Sequence, residues 1–189
     1  SFDRIIKMLT VVEDELVVEA KGIYSVEKFL IARRLMYWQV YLHKTVIGSE
    51  QMLIKALKRA KELGNSGVDL FATPALQHFL INKVNAENFV TDEKHLDWFT
   101  KLDDTDILSA LKCWTEHEDF ILSTLCKKIL RRDLFRTELR SVDFEMEEIE
   151  LYKNKTKEYF QLQGDDVDYF VYHQIIHNSA YSAEKEPIR

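Results

Sequence analysis

The sequence is poor in the residues that interrupt helices, since its 189 residues include only five glycines and two prolines. Scarcity of both residues favours long uninterrupted elements, and hence helices. No apolar run approaches the ~18 residues that a membrane-spanning helix needs, and no signal peptide is recognisable. The only cysteines are Cys113 and Cys126, which make no disulfide framework. We therefore expect a cytoplasmic protein with reduced thiols and no membrane partner.

Several motifs of phosphate and metal chemistry are also missing. The sequence has no phosphate-binding loop, no GxGxxG, no GxSxG, no CxxC and no HExxH. The net charge of −6 gives no general attraction to nucleic acid phosphates, so a nucleic acid partner is not expected. These absences exclude the common nucleotide-binding loops and the common zinc hydrolases.

Hydrophobic residues make up 46% of the chain, enough for a substantial core. The predicted fold class is mainly α (α+β), a multi-helical body with a small N-terminal hairpin and a C-terminal strand–helix–strand appendage. The hairpin is predicted within residues 11–20, after a short helix over 2–10. The predicted helices of the body cover residues 26–63, 74–82, 92–101, 104–115 and 118–130. The appendage consists of a strand over 134–141, a helix over 143–162 and a strand over 167–176.

Polar residues interrupt the apolar stripe of the longest predicted helix. Arg33, Tyr37, Tyr41 and Lys44 follow each other at spacings of four, four and three, so they share one helical face. A guanidinium and an ammonium suit phosphate oxygens, and phenol rings suit stacking on a base or sugar. The alternative is that the cations flank an amphipathic helix and the tyrosines pack in the core.

Other groups of polar residues favour ordinary structural roles. His173 and His177 are four apart, but no third metal ligand lies near them in sequence. The acidic run over residues 103–106 is typical of a helix N-terminus, and the basic residues over 127–136 are typical of a helix C-terminus. His78 and His95 have no recognisable partner in the sequence. No metal site is predicted.

Three separated segments resemble one enzyme family. ARRLMYWQVYLHK (32–44) follows ELVVEAKG (15–22), and together they resemble the region after the catalytic core of HD-domain deoxynucleoside triphosphate triphosphohydrolases. LDDTDILSALKCWTEHEDFILSTLCKKILRRDLFR (102–136) resembles a second segment of that family. FDRIIKML (2–9) resembles the helix that follows the family's last metal-ligand motif. The three segments occur in the family's order.

The resemblance implies a set of roles. Arg33 would contact the triphosphate, and Tyr41 would stack beside the deoxyribose or base. Some members bind a regulatory nucleotide, at positions that match Arg4, Lys21 and His43. Water would attack the α-phosphorus, releasing nucleoside and triphosphate with the help of a divalent metal.

The family holds its metal with a His, a His-Asp pair and a distal Asp, and no His is followed by Asp in this sequence. Those ligands are expected to precede Ser1 in a longer parent protein, so this chain alone is expected to be inactive. On this interpretation residues 1–135 are the helical region of an HD-phosphohydrolase-like domain, incomplete at its N-terminus. Residues 136–189 are a small, truncated α+β subdomain. The resemblance also implies a homo-oligomer. The alternative function is a non-catalytic helical interaction or regulatory module.

Overall fold

The computed structural model describes residues 2–176. The chain divides into two compact units: one contains the residues up to Ile47 together with those from Gln174 onward, and the other contains Gly48–His173. Over the described residues the structure is mainly helical, with one small two-stranded sheet. The predicted mainly α fold with an N-terminal hairpin is confirmed.

The first unit starts with helix α1 (Phe2–Ile6) and the strands β1 (Leu9–Val12) and β2 (Glu15–Val18). The strands pair antiparallel, with Leu9 opposite Val18. Their two-residue turn is Glu13-Asp14, and both residues have a positive φ, 51° and 64°. A turn with two positive φ values has the twist that joins antiparallel strands closely.

Helix α2 (Ile23–Met36) follows a short 3₁₀ turn that ends at Gly22. Gly22 is required by packing, because a Cβ there would lie 2.9 Å from Met8 Cβ and 2.9 Å from Val18 Cγ1. Apolar side chains of α2 are not confined to one face but alternate with the charged residues Glu27, Lys28, Arg33 and Arg34, and none of its residues is buried.

The prediction of one continuous helix over residues 26–63 is wrong, because the α-helix is interrupted near the middle of this range. After α2 the chain forms a π-helical turn, Tyr37–Tyr41, and helix α3 (Lys44–Asn65) starts only after Leu42 and His43. No Gly or Pro lies at this break, so helical periodicity continues across it and the sequence does not reveal it.

The second unit contains the remainder of α3 and six further helices among the described residues. Their bounds are Pro74–Ile81 (α4), Ala86–Thr91 (α5), Glu93–Thr100 (α6), Asp104–Trp114 (α7), Phe120–Arg131 (α8) and Met146–Phe160 (α9). Four of them confirm the predictions at 74–82, 92–101, 104–115 and 118–130, and α9 confirms the helix at 143–162. Helix α5 was not predicted.

The core of this unit lies between α3, α4, α7 and α8. Met52, Ala56 and Ala60 form a fully buried row on α3, and the two alanines allow neighbouring helices to approach closely. Trp114 at the end of α7 is 1% exposed, and its indole Nε1 donates a hydrogen bond to the carbonyl of Phe71 at 2.9 Å. A buried indole N–H is thus satisfied.

The predicted C-terminal strand–helix–strand appendage is wrong within the described residues. Residues 134–141 have no regular structure, and a 3₁₀ turn, Asp166–Tyr169, lies where the second strand was expected. The apolar side chains of these segments, including Leu134, Phe135 and Phe170, pack singly onto the helical core. Strand composition without a pairing partner does not produce a sheet, since two isolated strands are marginal at best.

Candidate functional site

Arg33 and Tyr37 are in direct contact at the end of α2. The guanidinium Nη2 of Arg33 donates a hydrogen bond to the Tyr37 hydroxyl at 3.2 Å, and its central carbon lies 5.2 Å from the centre of the Tyr37 ring. Arg33 is exposed and, among the described residues, forms no ion pair. Its remaining N–H groups are therefore oriented by the tyrosine but not neutralised, which suits the binding of an anion.

The π-helical turn places Tyr41 beside Tyr37. The N–H of Leu42 donates to the carbonyl of Tyr37 at 2.8 Å, which closes a wider turn than an α-helix. The two tyrosine rings are 4.9 Å apart between their centres, with a 43° tilt. Tyr37 is half-buried, whereas Tyr41 is 52% exposed. Single π turns within helices are frequent at functional sites, because they change the direction in which side chains project.

Lys44 belongs to the next helix and not to the one that carries Arg33. The chain turns at His43, whose Nδ1 accepts a hydrogen bond from the N–H of Thr45 at 3.2 Å, and α3 then begins. Lys44 is exposed and has no ion-pair partner in the described part of the chain. The structure thus brings Arg33, Tyr37 and Tyr41 together in one row, while Lys44 follows a break.

Two of the three predicted regulatory residues line one concavity of about 450 Å³ in the first unit. Arg4 from α1 and Lys21, just before α2, lie on its wall, whereas His43 is not among its lining residues. The full lining is Arg4, Lys21, Tyr24, Ser25, Glu27, Lys28 and Ile31. Arg4, Lys21 and Lys28 face one lining carboxylate, Glu27, and with Lys21 paired to Glu19 a small excess of positive charge remains for an anion.

Lys28 and Tyr24 were missed as candidate residues of this concavity. Lys21, Tyr24, Lys28 and Ile31 follow at spacings of three and four, the signature of one helical face, so the sequence did contain a signal. Lys21 also pairs with Glu19 at 2.5 Å, which holds its ammonium at the base of the hairpin.

A polar cluster in the second unit surrounds Arg59 of α3. Its guanidinium donates to both carboxylate oxygens of Asp119, with the shortest contact 2.6 Å from Nη2. Burial alone would raise the pKa of Asp119, but the hydrogen bonds from Arg59 and from the N–H of Leu122 outweigh it and lower that pKa. Since these hydrogen bonds join α3 to the start of α8, we interpret the group as structural.

Lys55 lies one turn before Arg59 and contacts the same C-terminal segment. Its Nζ is 5.6 Å from the ring centre of Tyr169 and 4.9 Å from that of Tyr172. Burial lowers the pKa of Lys55 and raises the pKa of Tyr172 to about 12. Arg59 also lies 3.8 Å from Asp166 Oδ1 and 5.6 Å from the ring centre of Tyr169, so both cations hold residues 166–172 against α3.

The described residues contain no group of three or more His, Cys, Asp or Glu side chains that could hold a metal ion. Of the pair His173 and His177, His173 is exposed and His177 lies outside the described residues. Both cysteines are free, and burial raises the pKa of the Cys126 thiol to about 12, so it is a poor nucleophile. None of the helices within residues 2–176 has the length and apolar character needed to cross a membrane.

Comparison with known proteins places these features in context. Residues 1–74 match the family described as HD associated region. This range includes Arg33, Tyr37, Tyr41 and the residues that line the concavity. The chain is 32% identical over 170 residues to the protein YwfO of Bacillus subtilis, a match that covers 89% of this chain and 36% of that protein. A solved structure of phosphohydrolase BT4208 from Bacteroides thetaiotaomicron is 45% identical, with a TM-score of 0.89, and the match covers 95% of this chain and 45% of that one.

These matches have two consequences. The chain contains an HD-associated region and is structurally similar to part of a phosphohydrolase, which confirms the coarser level of the resemblance found in the sequence. It also spans less than half the length of both proteins, 36% of one and 45% of the other.

Proposed function

We propose that this chain is part of a metal-dependent HD-domain phosphohydrolase that hydrolyses deoxynucleoside triphosphates to nucleoside and triphosphate. The observation that carries the proposal is the Arg33 guanidinium, which Tyr37 orients and which has no counter-ion among residues 2–176, within the residues that match the HD associated region. The likeness to a phosphohydrolase at 45% identity supports phosphate-ester chemistry.

Each residue of the row has a role that follows from its contacts. Arg33 binds the triphosphate through charge-assisted hydrogen bonds, with Tyr37 fixing its orientation. The exposed ring of Tyr41 stacks beside the sugar or base. Lys44, at the start of α3, adds a second positive charge for the same phosphates.

The metal of the proposed enzyme is held by residues outside this chain. No His-Asp pair occurs in the sequence, and no three-ligand group occurs among the described residues. When bound, the metal supplies Lewis-acid polarisation of the phosphate and activation of water. The residues of this chain bind and orient the substrate.

We also infer that the full protein is a homo-oligomer and that the concavity at Arg4 and Lys21 is its second candidate anion site. The cationic lining supports binding of a regulatory nucleotide there through its phosphates. The apolar, unburied surface of α2 supports contacts with further protein. That same surface favours the alternative function, a non-catalytic interaction module.

The test of the proposed function is steady-state kinetics of the full-length parent protein with deoxynucleoside triphosphates and Mn²⁺. Arg33→Ala is expected to lower kcat/KM by roughly 10²–10³-fold, because a charge-assisted contact to the phosphates is lost. Arg33→Lys should recover part of that loss, since it keeps the charge but not the planar fork. Tyr41→Ala should mainly raise KM.

Arg34→Ala is the matched control, because Arg34 is the exposed neighbour that lacks any described ion pair or ring contact. It should leave kcat/KM close to that of the unmodified protein. Thermal melts of every variant separate lost binding from lost folding. Unchanged kcat/KM in a folded Arg33→Ala protein would contradict the assignment, and absence of any triphosphohydrolase activity in the parent would favour the interaction module.

A further inference from the structure

Two histidines on different helices of the second unit form a short contact. His78 Nε2 of α4 lies 2.8 Å from His95 Nδ1 of α6, and the ring centres are 5.0 Å apart. Both side chains are half-buried. At this separation a single hydrogen atom joins the two nitrogens, so one imidazole donates and the other accepts. We refer to His78 and His95 as the histidine pair.

Asn82 favours one direction for this hydrogen bond. Its Nδ2 donates to the carbonyl of His78 at 2.8 Å and lies 3.5 Å from His78 Nδ1. An amide nitrogen on that side favours the tautomer of His78 that carries its hydrogen on Nε2. His78 is then the donor and His95 Nδ1 the acceptor. A metal ion between the two nitrogens would need the opposite tautomer of His78, so the geometry favours the hydrogen bond.

Aromatic rings surround the histidine pair. Trp98 stacks on His78 at 5.8 Å, Phe79 meets it edge-on at 5.1 Å, and Phe89 lies 6.2 Å from His95. These rings limit the access of water, which would otherwise screen charge on the imidazoles.

Within residues 2–176, the polar contacts around the histidine pair include two lysines and no carboxylate that would neutralise a positive charge on either imidazole. Lys61 Nζ of α3 donates to the carbonyl of Asn82 at 3.1 Å, and Lys101 Nζ lies 4.9 Å from the ring centre of Trp98. No ion pair to either imidazole occurs among the described residues. The charged side chains on the neighbouring helices α5, α6 and α7 are Glu87, Glu93, Lys94, Asp97, Asp104, Asp106 and Lys112.

Addition of protons affects this contact in two steps. One added proton leaves it intact, since an imidazolium still donates to a neutral partner. A second proton must bind to His95 Nδ1, the atom that accepts the hydrogen bond, and it places two positive charges in adjacent rings. The contact is then lost, and the repulsion is reinforced by the two lysines.

Apart from the histidine pair and the Trp98 ring on His78, helices α5 and α6 contact α4 through the rings of Phe89 and Phe99, each centred 6.3 Å from that of Phe79. Helices α5 and α6 contain no buried residue, whereas α4 is anchored in the core through Ala75, Leu76 and Leu80. We propose that the histidine pair is a proton-sensitive contact that holds residues 86–100 to α4 at neutral pH and releases them when both imidazoles are protonated.

Hydrogen–deuterium exchange of the chain at about pH 7.5 and about pH 5.5 tests the proposal. After correction for the intrinsic effect of pH on exchange, protection of residues 86–100 should fall severalfold at the lower pH, while α7 and α8 stay protected. His95→Gln keeps a hydrogen-bond acceptor that does not titrate, so its protection should not depend on pH. His173→Gln, which replaces an exposed histidine, should behave like the unmodified chain.

A second measurement needs no variant. NMR titration of the imidazoles in the unmodified chain should show one of the pair protonating while the other stays neutral until the signals of α6 shift. Independent titration of His78 and His95 without change in α6 would overturn the proposal. So would equal loss of protection in the unmodified chain and in His95→Gln, or pH-independent protection of residues 86–100 in the unmodified chain.

Discussion

Asp119 has two structural roles at one position. Its carboxylate caps helix α8 by accepting a hydrogen bond from the N–H of Leu122 at 2.8 Å, and it also accepts the guanidinium of Arg59. The side chains of Asp119 and Arg59 are only 14% and 20% exposed. The ion pair therefore joins α3 to the start of α8 under limited screening by water.

We predict that Asp119→Ala destabilises the chain by about 3 kcal/mol, because it removes the cap of α8 and leaves a largely buried guanidinium with only the longer contacts to Glu62 at 3.4 Å and Asp166 at 3.8 Å. Urea denaturation at neutral pH measures the change. Asp103→Ala is the matched control, since Asp103 caps α7 from an exposed position without an arginine partner. Its cost should be only ~1 kcal/mol. Equal losses in the two variants would show that the ion pair contributes nothing beyond the cap.

The loss of unfolding free energy caused by Asp119→Ala should become smaller as the pH is lowered. The pKa of Asp119 is lowered in the folded state, so the unfolded chain binds a proton more readily. The stabilisation is present above the ordinary pKa of aspartate, about 3.9, and is lost as the pH falls through the folded pKa. The difference between the unmodified chain and Asp119→Ala should therefore shrink as denaturation is repeated at progressively lower pH.

At the scale of whole elements, Gly48 determines how closely the segment after α8 approaches helix α3. A Cβ at Gly48 would overlap Thr137 Oγ1, and Thr137 lies in the irregular segment that was predicted as a strand. Gly48 itself is buried. The absent side chain therefore creates the space into which residues 134–137 pack.

We predict that Gly48→Ala destabilises the second unit by about 1–3 kcal/mol, the usual range for overpacking, despite the higher helix propensity of alanine. The double variant Gly48→Ala/Thr137→Ala removes the overlap and should recover most of the loss. Thermal melts of the two single variants and the double variant give the coupling between the positions. Additive effects would contradict the packing explanation.

The elements that the sequence predicted well are those with local signals. The acidic run over residues 103–106 was recognised as a helix N-terminus because capping acts over two or three residues, and Asp103 indeed caps α7. Helix α5 was missed although Asn85 and Asn88 cap it reciprocally, since six residues show no clear periodicity. The false strands were β-like only in composition, and whether they find a pairing partner is decided by tertiary structure.

The same distinction applies to the candidate sites. Arg33 and Tyr37 are four residues apart on a helix, so their contact follows from spacing alone. His78 and His95 are separated by 17 residues and lie on different helices, so no pattern in the sequence could predict their contact. The turn at Tyr37–Tyr41 also left no sequence signal, and it separates Lys44 from the other three residues.

At the scale of the whole molecule, apolar side chains remain uncovered on the first unit. Exposed examples on α2 include Ile31 and Leu35, and Trp38 in the next turn is 56% exposed. Contiguous apolar surface of several hundred Å² marks contact with other protein. Such surface is available for association when the chain is isolated.

We predict that the chain self-associates at micromolar concentration, so that light scattering gives a mass above its 22.4 kDa. Ile31→Glu/Leu35→Glu should shift the mass toward the monomer, because two charges oppose the burial of α2. Val90→Glu is the control, since Val90 is 87% exposed on α5 in the other unit. A monomer at every concentration, or an equal effect of the control, would contradict the assignment of α2 as the contact.

The burial of Trp114 also has an optical consequence. The chain has three tryptophans, and Trp38 belongs to the first unit whereas Trp98 and Trp114 belong to the second. Trp114 is enclosed by the core and bonded to a backbone carbonyl, so we expect its fluorescence to be blue-shifted relative to that of the exposed Trp38. Trp98 is half-buried and should emit between the two, so the blue edge mainly reports the core of the second unit and the red edge mainly reports the turn beside Arg33. One spectrum recorded during unfolding thus follows both units of the chain without any added label.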